Sequence, residues 1–183
     1  MMYEADRLVR PVPSDPEAFR PVDLPGGDVP AMVKWAIEEQ DVEAAFAIRR
    51  EVFVKEQGYT EEQEFDEAEP VALHVLAQLV PGCATTPGAA RHLGAARLLL
   101  DATEDPPVAY VSRLSVLAFA RRMGLGKAIV EFVLEGARDM GCAKARAGAQ
   151  KTAVEFWGSL GFRPTGEDYM DFHVPHEWTE RRL

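Results

Sequence analysis

Cysteine is scarce in this chain: 183 residues hold two, Cys83 and Cys142. Two cysteines cannot build a disulfide framework, so a reducing compartment such as the cytoplasm is the simpler setting. No stretch of about 18 apolar residues occurs, which excludes a helix that spans a bilayer. The first residues lack the basic start and apolar run of a secretory signal. Basic residues are a minority, 20 against 30 acids, for a formal charge of -10. That balance argues against a protein built to grip nucleic acid or an anionic membrane, and it permits a cationic substrate. Repeats and heptads are missing too. What is present is an ordinary globular composition, 47% apolar and 27% charged. The length allows one domain plus an extension.

Residues 1–30 stand apart. Pro11, Pro13, Pro16, Pro21, Pro25 and Pro30 each remove a backbone donor and push the preceding residue away from helix. A loosely ordered arm is expected, followed by one domain over 31–183. A loop is expected from Pro81 to Gly88. Strands are expected over 32–37, 72–80, 93–101 and 110–117, and a short one near 143–149. Asp41 could cap a helix that carries Ala44, Ile48 and Val52 on one face. A long helix is traced by Leu125, Ile129, Phe132, Val133 and Ala137 and stopped by Gly141. A last helix over 152–160 precedes Gly161, and the tail reads as two strands joined around Pro175. This order gives an α/β (α+β) sheet with helices packed on its faces.

The strongest chemical signal lies where a strand enters a loop and the loop opens the long helix: Leu114-Ser115-Val116, then Arg121-Arg122-Met123-Gly124-Leu125-Gly126-Lys127. A helix start presents unpaired N–H groups and the positive end of the dipole, so it can hold phosphate oxygens. The glycines admit close backbone approach. A P-loop is excluded, because Arg121 replaces its first glycine and Ala128 its Ser or Thr. The dinucleotide fingerprint fails at Ile129, where its third glycine would fall.

Arg121-x-x-Gly124-x-Gly126 in this setting resembles the acetyl-CoA loop of the GNAT N-acetyltransferases. Ala153 to Phe162, which ends in Gly161-Phe162, resembles that superfamily's second motif. Arg49-Arg50-Glu51-Val52-Phe53-Val54-Lys55-Glu56-Gln57, Gly148-Ala149-Gln150 and Val174-Pro175-His176 are similar to the ElaA-like (YjcF-like) branch. The resemblance implies a single domain with a mostly antiparallel sheet of about seven strands, splayed at its centre. It implies transfer of an acetyl group from acetyl-CoA to the primary amine of a small cationic acceptor, with a non-catalytic acyl-CoA-binding module as the alternative. Leu114, Ser115 and Val116 would line the pantetheine arm, and the main chain from Arg122 to Lys127 would hold the pyrophosphate beside Arg121. Gln150, Phe156 and Trp157 would complete the coenzyme site. No metal ligand and no nucleic-acid or membrane partner is implied. A homodimer is compatible with such a domain.

Direct transfer needs a base, because an ammonium with a pKa of about 10 is not a nucleophile. The acids from Glu56 to Glu69, a stretch with no Lys or Arg, are the first candidates. Most read as a solvated loop whose field gathers a cation. Glu56, at a helix end, is preferred, with Asp66 next, and Glu67 beside it. Asp171 and His176 lie in the tail, where the family's acceptor pocket would close. His74 reads as a hydrogen-bonded core histidine. Trp157 stands where many members carry a tyrosine that would protonate the leaving sulfur; indole cannot release its proton at this pH. Tyr169 is a candidate substitute.

Overall fold

The structure, a computed structural model, describes residues 5–25, 30–81 and 91–183. The loop segment from Gly82 to Gly88, with Cys83, lies outside the described residues. The chain runs β1 (Leu8–Val9), β2 (Phe19–Val22), β3 (Ala31–Ala36), then α1 (Glu39–Arg49), which continues as a π-helical segment, Arg50–Glu56. A short α2 (Glu61–Glu64) precedes β4 (Leu73–Leu79), β5 (His92–Asp101) and β6 (Val108–Val116). Next come α3 (Leu125–Asp139), β7 (Lys144–Gln150), α4 (Val154–Ser159), β8 (Arg163–Asp171) and β9 (Val174–Arg182).

Among the described residues the strands form one nine-stranded sheet in the order β2-β3-β4-β5-β6-β7-β9-β8, with β1 on β5. Pairing is antiparallel except between β6 and β7, which α3 connects. Seven of these strands belong to residues 31–183, and the arm adds two. Those arm residues are thus hydrogen-bonded into the sheet rather than loosely ordered. The reason is open edges. β4 begins opposite Leu98, so Leu100 and Asp101 of β5 are left for Val9 and Leu8. β2 extends the edge of β3, where Pro21 sits in an outermost strand and its missing donor is tolerated.

Two local expectations are corrected. Asp41 is not the cap of α1: Glu38 holds that position, and Asp41 in the first turn pairs with Lys34 Nζ at 2.6 Å. The tail hairpin turns at Phe172–His173, with Phe172 at φ 53°, and not at Pro175. Pro175 lies within β9 just beyond His176, the last residue that β7 pairs, so it removes no bond there.

Helices cover both faces. α3 and α4, with Phe162 just after α4, pack Ile129, Val133, Trp157 and that ring against Val33, Val75, Leu98 and Val111. On the opposite face Ile48 and Val52 meet Leu76 and Ala95. β4 and β5 are buried on both sides, which is why they read as unbroken apolar runs. Gly136 lets α3 lie directly on Trp35, because a Cβ there would overlap the indole ring. Gly136→Ala is therefore expected to destabilise the fold by about 1–3 kcal/mol, although alanine is the better helix former. Urea denaturation checks it, and a stabilised variant would refute the contact.

Candidate active site

The parallel pairing of β6 and β7 covers Val108–Tyr110 and Lys144–Arg146, yet the strands continue to Val116 and Gln150. Past that point they part. A bulge drives the separation: β6 places two residues, Arg113 and Leu114, opposite Ala96 of β5, and Arg113 takes φ 53°. That conformation is unfavourable for a side-chain-bearing residue. It is held by the guanidinium, which donates to Gln63 O and Glu64 O and pairs with the carboxylates of Glu64 (3.0 Å) and Asp66 (3.3 Å).

The parting opens a slot of about 140 Å³. Ser112 and Leu114 line it from β6, and Gly148 and Gln150 from β7. Phe53, Tyr59, Phe156 and Trp157 close it, and Asp171 and His176 also line it. Gln150 Nε2 donates to Gln57 Oε1 at 2.8 Å, tying β7 to the residue after the π-helical segment. Of the three strand residues expected beside the coenzyme arm, Leu114 lines the slot. Ser115 and Val116 are in register with β5, and the Ser115 hydroxyl donates to Ala95 O.

The glycine loop leads from this slot into α3. Arg122 and Gly124 are both left-handed, at φ 63° and 84°. No side chain caps the helix, and a Cβ on Gly124 would meet nothing within 4 Å. The first-turn N–H groups of Leu125, Gly126 and Lys127 have no partner inside the helix. Arg122 and Lys127 are exposed beside them, while the Leu125 side chain is buried in the core and Met123 is half-buried. This cradle fits the diphosphate of a coenzyme. Gly126 differs from Gly124: its Cβ would lie 3.4 Å from the Phe156 ring, not over the cradle.

Arg121 turns back instead. Its Nε donates to Val116 O, and its two terminal nitrogens bind the carboxylate of Glu56 at 2.7 and 2.6 Å. Glu56 thus lies outside the slot, and its hydrogen bonds with Arg121 hold its carboxyl below the usual range. A carboxylate so held is a weak base, so the structure does not support Glu56 in that role.

Most acids of the stretch are exposed as expected, Glu56, Glu61, Glu62 and Glu67 among them, but Glu64, Asp66 and Glu69 are drawn onto buried cations. Arg49 and Arg97 are fully buried. Arg49 pairs with Glu64 and Glu69 at 2.6 Å each, and Arg97 with Asp66 at 2.7 Å and Glu69 at 2.6 Å. Burial alone would raise the Asp66 and Glu69 carboxyls, but the hydrogen bonds of Arg97 and Arg49 outweigh it and hold both low. Asp66 is therefore a structural anion beneath Arg113. Glu67 is exposed and lines neither the slot nor the cavity beside it.

His74 belongs to the same network. Burial pushes it down to about 4, against the pull of Glu69. It packs edge-on against Phe46 in the core, as expected; its Nε2 lies 3.4 Å from Glu69 Oε2, while its Nδ1 is buried with no hydrogen-bond partner among the described residues. The folded state thus resists a proton that the unfolded chain accepts at its ordinary pKa of about 6.5. Stability contributed by the neutral ring is complete above pH 6.5 and is lost as the pH falls towards 4. The loss is expected to reach about 2 kcal/mol at pH 5. Urea midpoints at pH 7 and 5 check this; an equal drop in His74→Leu would assign it elsewhere.

Asp171 and Arg113 line both the slot and a neighbouring cavity. Tyr59, a residue with no signal in the sequence, reaches Asp171 Oδ2 with its hydroxyl at 3.4 Å. Burial raises the Tyr59 hydroxyl above the phenol range, and the Asp171 charge adds to that. His176 is 5% exposed, and its Nδ1 donates to Val174 O at 3.0 Å. A carbonyl only accepts, so in the neutral ring Nε2 keeps the lone pair. Tyr169 stacks on His176 and lines the cavity, not the slot. Trp157 packs edge-on against Phe156 and Phe162.

A sheet splayed around a slot, beside an open glycine-bearing helix start, defines an acyltransferase class. The chain belongs to the acetyltransferase (GNAT) family, whose pattern matches residues 42–162. The uncharacterized N-acetyltransferase YjcF of Bacillus subtilis is 30% identical over 142 residues, which cover 77% of this chain and 92% of YjcF. Escherichia coli ElaA superposes with a TM-score of 0.62 at 22% identity, over 82% of this chain and 99% of ElaA. An N-acetylglutamate synthase from Neisseria gonorrhoeae, solved with coenzyme A and N-acetyl-glutamate, superposes with a TM-score of 0.56 at 18% identity, over 84% of this chain and 35% of that one.

Proposed function

We propose that this protein transfers the acetyl group of acetyl-CoA directly to the primary amine of a small cationic acceptor. The observation that carries the reading is the slot between β6 and β7, lined by a carboxylate and an imidazole, with the open helix start following β6 in the chain. Acetyl-CoA supplies an activated acyl group as a thioester. The cradle from Arg122 to Lys127 holds its diphosphate, and β6 at Leu114 aligns its arm. Asp171 holds the acceptor's ammonium at the mouth of the slot, with its carboxylate fixed by Tyr59. His176 Nε2 takes the ammonium proton, because its other nitrogen is committed to Val174 O. Phe53, Phe156 and Trp157 exclude water. Trp157 leaves the departing thiolate without an adjacent phenol at that position; a thiol of pKa about 8.5 can leave unprotonated.

Release of free thiol from acetyl-CoA, measured across a panel of primary amines, tests the reading. Saturating CoA should stabilise the fold by about 2.7 kcal/mol at a hundred times its Kd. Gly124→Val should remove that stabilisation, since it strains a φ of 84° and fills the cradle. CoA binding without thiol release for any amine would leave an acyl-CoA-binding module, and Trp157→Tyr would then show whether the missing phenol is the cause.

A further inference from the structure

The cavity beside the slot, about 470 Å³, has a composition that selects its occupant. Its carboxylates are Glu62, Asp171 and Asp66, the last paired with buried Arg97, and its one guanidinium is Arg113. That guanidinium is already committed to Gln63 O, Glu64 and Asp66. A ligand carboxylate would therefore meet negative charge with no free cation in the lining to receive it. An ammonium is drawn in, and Asp171 places it where the cavity meets the slot.

The remaining wall is apolar and aromatic. Tyr169 stacks between His176 at 5.2 Å and Trp178 at 5.3 Å, so one row of rings runs from the slot into the cavity. Met170 and Phe172 also line it, 61% and 58% exposed, large apolar side chains that the fold leaves uncovered. We infer that the acceptor is a primary amine on an apolar, ring-sized body that carries no carboxylate. This rests on the acyl-transfer reading for the position of the amine. It names the class of acceptor: an ammonium that bears a ring-sized apolar group rather than an amino acid or a polyamine. The amine lies at Asp171, and the body covers Met170 and Phe172 and abuts Tyr169.

Calorimetric titration of the CoA-loaded protein with 2-phenylethylamine, L-phenylalanine, ethylamine and spermidine tests this. Phenylalanine differs from the first amine only by its carboxylate, and ethylamine only by the missing ring. 2-Phenylethylamine is expected to bind about tenfold or more tightly than each of the others. Phe172→Asn, which tolerates the positive φ at that turn, should weaken 2-phenylethylamine about fivefold or more and leave CoA affinity unchanged. Equal binding of phenylalanine or ethylamine, or preference for spermidine, overturns the inference. Thiol release is read separately on the same amines. Selective binding of 2-phenylethylamine without release keeps this acceptor class and removes the transfer reading. Release with spermidine alone keeps transfer and removes the class.

Discussion

His176→Gln is expected to lower kcat by about 10²- to 10⁴-fold, the range for losing a positioned general base, with the KM for acetyl-CoA unchanged. Glutamine fills most of the buried space, so the hairpin should persist. What it lacks is a basic ring nitrogen. Asp171→Asn should act differently, through the acceptor: its KM rises, because the ammonium loses its counter-charge. The two variants separate proton removal from amine binding. Steady-state thiol release, with unfolding midpoints as control, decides it. A kcat within about threefold of the parent for His176→Gln is too small for a lost general base and would move that role to another group at the slot.

Arg97→Met is expected to cost about 3–5 kcal/mol, as removal of one partner from a buried ion pair does. Arg97 is fully buried and binds Asp66 twice, Glu69 and Ser112 Oγ. Methionine fills the volume but leaves two half-buried carboxylates short of a cation. The consequence reaches the slot. Asp66 also bears on Arg113, whose left-handed backbone forms the bulge that parts β6 from β7. A folded Arg97→Met protein should therefore show lower kcat as well as a lower urea midpoint. Arg97→Met/Asp66→Asn should recover part of the stability, since it removes one stranded charge. A loss below about 1 kcal/mol is the size expected of an exposed pair and would show that the network is solvated.

The parts that could be read from the chain were local. The glycine loop is seven consecutive residues, Arg121 to Lys127, and a strand-loop-helix order is visible in a window of that size. The long helix was legible because its apolar stripe repeats at helical spacing and Gly141 ends it in the left-handed region. The tail supplied Asp171 and His176 as residues of suitable chemistry in a segment placed near the site by resemblance.

What was illegible involved partners far apart. The acids from Glu56 to Glu69 form a run without a base, and nothing nearby says which are neutralised. Their cations arrive from α1, β5 and β6, and Arg121 crosses 65 residues to reach Glu56. Tyr59 carries no motif. It enters the slot because Gly58 turns the chain at φ 79° after the π-helical segment, and Tyr59 N bonds Phe53 O.

Composition, periodicity and the glycine loop thus determined by themselves an α/β sheet with a glycine-bearing loop that opens its long helix, because each depends on neighbours along the chain. Only the tertiary structure decided which carboxylates remain free to act. Ionisation follows the charges packed against a group and its distance from water, and both are set by where β5, β6 and α1 bring their arginines.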